Sequence, residues 1–331
     1  MPRHRTLAGL CALILVTGSL AAACSGAGAS PSIAPSAAAS GAGCSVLPPP
    51  TGLDDWGLPS CTPKLIPFLV TNNIAMGPAR ILFLYLDASN AVASAPDRTA
   101  SVAFYDLDRD PATAVATVDG TFVWTIENER GMYVVNVDLP AAGRWGAEFT
   151  TEAPGSEREA VRLTFDVHES SPTVAVGDAA PASETPTLAD VGGDLAAIST
   201  DAEPVAAFYE TSVADALAEH RPFVLVFATP KFCTSAQCGP TLDLLKPVAA
   251  AHPDVTFINV EPYKLQFMDG QLQPELDANG NLQAVAVADQ WGLLIEPWIF
   301  AVDRDGIVRG SYELIVTAAV LDAALAEIAP A

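Results

Sequence analysis

In the stretch FATPKFCTSAQCGP (227–240), four residues separate Cys233 from Cys238, and Gly239-Pro240 follow. Paired cysteines support reversible covalent exchange: one thiolate attacks a disulfide sulfur, and a second thiol resolves the mixed disulfide. A thiolate at a helix N-terminus feels the partial positive charge of unpaired amides, which raises the fraction ready to attack. The pattern TLDLLKPVAAAH predicts a helix over 241–252, with a kink at Pro247, directly after the pair. The continuous apolar run RPFVLVFA (221–228) predicts a central strand directly before it. Cys238, at the head of the helix, is the expected attacking sulfur and Cys233 the resolving one. The same spacing also suits a structural staple, the commoner use of cysteine pairs in exported chains.

The N-terminus bears on which chemistry applies. Arg3, His4 and Arg5 precede an apolar run from Leu7 to about Val16, and small residues then lead to Cys24. This is the layout of a secretory signal over 1–23, and the run is shorter than the roughly 20 apolar residues that cross a bilayer. Leu20-Ala21-Ala22-Ala23-Cys24 resembles the lipobox of bacterial lipoproteins. That resemblance implies a diacylglyceryl group on Cys24 and anchorage to the extracytoplasmic face of the cell membrane. Residues 24–60 read as a lipid-anchored linker, whose Ser-, Ala-, Gly- and Pro-rich stretch 25–50 is a flexible tether with a reach of about 25–30 Å. The chain of 331 residues carries 16 basic and 39 acidic side chains, a formal charge of −23. Such a surface repels phosphate backbones, so nucleic acid is not an expected partner.

From residue 61 to 170 the sequence reads as all β, with strands expected over 64–72, 79–87, 101–107, 121–127, 131–140, 144–152 and 159–169. Seven strands at this spacing suggest a β-sandwich. The pattern YVVNVDLPAAGRWGAEF resembles immunoglobulin-like modules of bacterial surface and periplasmic proteins. The region offers only Met76, Met132 and His168 as soft ligands, with no close pair, so no metal site is expected in it. Cys44 and Cys61 flank SVLPPPTGLDDWGLPS, and in an exported chain they are most simply a structural disulfide fastening the tether to the sandwich.

A Pro- and Ser-rich segment, 171–199, reads as a linker. Strands and helices then alternate over 200–331: a helix at 211–220, strands at 221–228 and 255–261, a hairpin at 297–313 and a final helix at 317–328. This order, with Cys238-Gly239-Pro240, Pro247 and WGLLIEPWIFAVDRDGIV (291–308), resembles the thioredoxin fold. The resemblance implies that Pro297 follows a cis peptide bond and faces the redox cysteine. It also implies a redox role for the cysteines. Three departures stand out: Thr241 occupies the place of the family's second cysteine, Glu296 precedes the proline, and RPFVLVF contains no acid to carry a proton.

The sequence therefore predicts an all-β immunoglobulin-like sandwich followed by an α/β thioredoxin-like fold. Its expected site is Cys238, Cys233 and Pro297. The expected activity is thiol–disulfide exchange on exported proteins without a cofactor, with a membrane or extracytoplasmic redox partner supplying or taking electrons. A redox-silent interaction module, in which Cys233–Cys238 is a staple, is the alternative. A peroxidase reading of TPKFC lacks a nearby arginine, and a copper-chaperone reading lacks a histidine, since His220 and His252 read as surface residues at helix ends.

Overall fold

The computed structural model describes residues 44, 47–58 and 61–329. The leader, Cys24 and most of the tether lie outside the described residues. Eight strands form the first sheet system: β1 (Leu65–Leu69), β2 (Gly77–Asp87), β3 (Thr99–Asp106), β4 (Ala116–Asp119), β5 (Thr121–Ile126), β6 (Arg130–Leu139), β7 (Gly143–Glu152) and β8 (Glu159–Val167). They pair in two antiparallel sheets, β1-β2-β6-β5 and β4-β3-β7-β8. In chain order this is the A-B-E-D and C′-C-F-G arrangement of an immunoglobulin-like sandwich.

Period-two alternation explains the core. Ile81, Phe83 and Tyr85 of β2 and Tyr133, Val135 and Val137 of β6 face Val102 and Phe104 of β3 and Trp145, Ala147 and Phe149 of β7. The seven expected strands are all present. The eighth, β4, was not expected, because its four residues carry no strong apolar alternation.

The segment before the sandwich is more fixed than the tether composition suggests. The Cys44–Cys61 disulfide forms, and the Cys44 carbonyl accepts a hydrogen bond from Ala160 at the start of β8. Closing this loop stabilises by about 3 kcal/mol in the chain-entropy model. Trp56 is buried against Tyr105 and donates from Nε1 to the Pro111 carbonyl. Its ring lies over Gly146, where a Cβ would collide with it.

The second sheet system has the order β10-β9-β13-β14, built from β9 (Phe223–Phe227), β10 (Thr256–Val260), β13 (Trp298–Val302) and β14 (Val308–Glu313). β10 is parallel to β9, while β13 is antiparallel to both β9 and β14. Every residue of β9 and β13 is buried, because helices cover both faces. Val224, Val226, Ile299 and Ala301 pack under α2 (Cys238–Ala251) and α4 (Ala318–Ile328). Phe223, Leu225, Phe300 and Val302 pack under α1 (Val213–Ala218) and α3 (Ala286–Gln290). Between β10 and α3 a hairpin, β11 (Leu265–Met268) and β12 (Gln271–Pro274), turns at Asp269-Gly270, both with positive φ. None of the described helices is long and apolar enough to cross a membrane.

Residues 171–199, expected as a linker, lie against this second system. Thr173 Oγ1 donates to the Gly292 carbonyl, Trp291 Nε1 donates to Ser183 Oγ, and the Val213 amide donates to Thr185 Oγ1. The two sheet systems also meet. Leu82, Met132 and Val134, on the outer face of the sandwich, share an apolar cluster with Leu314 and Ile315. Arg80 donates to the Ile315 carbonyl at 2.7 Å, and Asn72 donates through Nδ2 to Glu313 at 2.7 Å.

Candidate functional site

The strand β9 ends at Phe227, and the chain then loops through Thr229 to Ala236 before α2 begins at Cys238. Cys233 and Cys238 are joined by a disulfide with a Cα–Cα distance of 6.0 Å, inside the usual range for such bonds. Ala236, within the loop, has a positive φ of 61° that lets so short a segment close.

The two sulfurs differ in their surroundings. Cys238 is 0% exposed, in the core between α2 and the sheet, whereas Cys233 is only partly buried. Helix α2 has no side-chain cap. The Cys238 amide instead donates to Cys233 Sγ at 3.2 Å, so this sulfur occupies the position where a capping oxygen would sit. Ser235 Oγ lies 3.3 Å from the same sulfur. The expected order of attack is at odds with this burial: an incoming disulfide has no path to Cys238, and Cys233 is the reachable sulfur.

Glu296 is the third member of the site. Its carboxylate and the two sulfurs lie within 4.8 Å of one another, and its peptide bond to Pro297 is cis. Pro297 is buried, and the cis bond before it is the one the thioredoxin resemblance implies. Glu296 is 3% exposed. Its Oε1 accepts from the Thr234 amide at 2.7 Å and from Thr234 Oγ1 at 2.8 Å, and its Oε2 accepts from Tyr263 Oη at 2.5 Å. Ser235 Oγ donates to the Glu296 carbonyl at 2.7 Å. The cysteine loop is thus clamped to residue 296 from both its side chain and its backbone. Burial and the adjoining Glu296 carboxylate both push the Tyr263 phenol above its ordinary range, so it is a fixed donor.

Two further residues escaped the sequence reading. Tyr263 precedes the hairpin, 33 residues from Glu296, and no spacing rule links them. Glu261 follows β10 and is half-buried. It accepts from the Thr200 amide at 2.6 Å, its Oε2 has no hydrogen-bond partner, and burial pushes its carboxyl up to about 7. Beside the loop, a cavity of about 370 Å³ is lined by Leu195, Thr200, Asp201, Lys231, Gln271 and Leu272. Trp291 and Trp298, which bracket Pro297, are core residues, and His252 caps the end of α2.

No protein-family model matches the chain, and no curated protein matches it. Among solved structures it is similar to CopC from Methylosinus trichosporium OB3b at 14% identity, covering 31% of this chain and 94% of that one, with a TM-score of 0.21. It is similar to the Lin-41 filamin domain at 17% identity, covering 31% and 93%, with a TM-score of 0.20. It is also similar to a DUF4426 family protein from Pseudomonas aeruginosa PAO1 at 8% identity, covering 28% and 76%, with a TM-score of 0.21.

Proposed function

We propose that this protein is a membrane-anchored, extracytoplasmic thioredoxin-like protein that exchanges thiols and disulfides with exported proteins. The observation that carries the proposal is the asymmetry of the Cys233–Cys238 disulfide at the start of α2. One sulfur is reachable and accepts a helix-terminal amide, and the other is buried behind it. Reversible exchange needs this arrangement: a substrate thiolate or disulfide meets the outer sulfur, and the inner one resolves the mixed disulfide out of reach of other thiols.

In this reading Cys233 attacks and Cys238 resolves. The sheet order β10-β9-β13-β14, with a parallel first pair, an antiparallel second pair and the cysteines opening the helix after β9, supports a thioredoxin-like class for residues 200–331. The Ser/Ala/Gly/Pro tether after Cys24 supports a site held off the membrane by a lipid anchor, with the sandwich between them. Glu261, whose carboxyl is pushed up to about 7, supplies a group able to take or give a proton near neutral pH.

A second reading keeps one observation in its favour. Cys238 belongs to the core cluster, as a structural staple would. The two are separated by trapping. The whole chain carrying Cys238→Ser is expected to accumulate mixed disulfides with exported proteins through Cys233, and Cys233→Ser is expected to accumulate none. Absence of adducts from both variants would leave the staple.

A further inference from the structure

Glu296 presents an unusual charge problem. A buried carboxylate is ordinarily paired with a cation or coordinates a metal, because leaving it alone in a low-dielectric site is costly. Yet no Lys, Arg or His nitrogen lies within 4.0 Å of Glu296 among the described residues. All its partners are neutral donors: Thr234 through its amide and hydroxyl, and Tyr263 through its phenol. A carboxylate offers about four acceptor positions. Both on Oε1 are taken by Thr234, and Tyr263 takes one on Oε2, which leaves one position on Oε2 open.

We infer that the reduced form of this site binds a thiolate-preferring divalent cation, Zn²⁺, through Cys233 Sγ, Cys238 Sγ and Glu296 Oε2. The three side chains already hold their donor atoms within 4.8 Å of one another. Tetrahedral zinc with bonds of about 2.3 Å to sulfur and about 2.1 Å to oxygen needs donors roughly 3.5–3.8 Å apart. Breaking the disulfide lets the sulfurs separate to that distance. Two thiolates with one carboxylate select zinc over magnesium or calcium, which require oxygen shells. Three protein ligands leave a fourth position, on the side where Cys233 is partly exposed. Tyr263 donates to that same Oε2 and fixes its orientation, as outer partners of zinc ligands do.

The inference rests on the exchange reading, because the disulfide must first be opened. An external dithiol passes two electrons and two protons to Cys233 and Cys238 and closes to its own disulfide. Zn²⁺ then binds the two thiolates and releases the two protons to solvent. Reoxidation by a disulfide expels the ion, so redox state and metal occupancy exclude one another.

The test uses the whole chain, treated with a phosphine reductant under nitrogen and desalted, beside a Cys233→Ser/Cys238→Ser double variant. Thiols are counted first, and the difference between the two proteins reports this pair alone. Co²⁺ is then added as a spectroscopic probe, followed by Zn²⁺. The expected result is two additional thiols and a thiolate-to-cobalt charge-transfer band saturating at one equivalent. Zn²⁺ displaces the band, Mg²⁺ does not, and the double variant lacks it. Tyr263→Phe is expected to keep the stoichiometry while weakening zinc binding about 10–100-fold. Two thiols without a cobalt band would overturn the metal site and leave the exchange reading standing. No additional thiols would overturn both. Unchanged zinc affinity in Glu296→Gln, with a native far-ultraviolet spectrum, would overturn the three-ligand assignment.

Discussion

Replacing Glu296 with glutamine probes the electrostatics of the cysteine site most sharply. In a Cys238→Ser background Cys233 is a free thiol with a carboxylate no more than 4.8 Å from its sulfur. At that separation and an effective dielectric of about 20, two unit charges repel by about 3.5 kcal/mol. Cys233 is partly exposed, so water screens some of this, and about half is a reasonable lower figure. Removing the charge therefore stabilises the thiolate by about 1.7–3.5 kcal/mol, which raises its population at a pH below its titration range by roughly 20- to 400-fold. A more stable thiolate is also a poorer nucleophile, with a Brønsted coefficient of about 0.4–0.5, which returns nearly half of the gain on the logarithmic scale. The net expectation is a roughly 5- to 25-fold faster reaction with a disulfide in mildly acidic buffer. Glutamine preserves the shape of the side chain and can still accept from Thr234, so the loop stays clamped. The assay is the rate of reaction with neutral 4,4′-dithiodipyridine, followed by absorbance across a pH series, with the Cys238→Ser protein as reference. A rate in the Gln variant equal to or below the reference would refute the reasoning, because Glu296 would then exert no repulsion on the attacking sulfur.

Further expectations follow from burial. Reduced Cys233→Ser leaves Cys238 as the free thiol of the pair, and its reaction with the same reagent requires local opening. With an opening cost of about 4 kcal/mol, labelling is expected to be about 10³-fold slower than that of Cys233 in Cys238→Ser. Glu261 links stability to pH. Its carboxyl stands at about 7 in the folded chain against an ordinary 4.5, so its stabilising contribution is full below about pH 4.5 and is lost as pH rises through 7. Glu261→Gln should flatten that slope and stabilise the protein at pH 8 by up to about 3 kcal/mol, measured by urea unfolding at two pH values. Arg80→Ala removes the donor to the Ile315 carbonyl and leaves Glu313 buried without its neighbouring cation. A loss of about 2–3 kcal/mol is expected in the same unfolding assay, against less than 0.5 kcal/mol for substitutions at exposed surface positions.

Much of the fold was legible because its signals are local. Alternation in β2, β3, β6 and β7 marks the sandwich, and the uninterrupted FVLVF of β9 marks a strand covered on both faces. Where the chain is fixed by polar contacts, hydropathy carries no signal. Residues 171–199 carry little apolar periodicity, yet Thr173, Ser183 and Thr185 are buried because each makes a specific hydrogen bond to the second sheet system. Hydropathy does not register that kind of fixation. The hairpin at 265–274 shows the same limit: its apolar Phe267 and Met268 are exposed, so they leave no burial pattern. At the site, the types and spacing of Cys233, Cys238 and Pro297 were readable. Which sulfur faces solvent was not, because it depends on how the loop folds back over α2. The partnership of Tyr263 with Glu296 spans 33 residues and exists only through tertiary packing. In the sequence Glu296 stands out only as the residue before Pro297. The structure adds that it orders the loop that carries the cysteines.

The reduction potential of the Cys233–Cys238 pair in the whole folded chain tests the central claim most directly. It is measured by equilibration with glutathione buffers and quantified by alkylation and mass analysis of the peptide spanning 231–246. Exchange chemistry predicts a potential between about −120 and −270 mV, with the chain remaining folded in both states. A potential below about −300 mV, or a pair that yields only when the chain unfolds, would contradict the claim and leave Cys233–Cys238 as a structural bond.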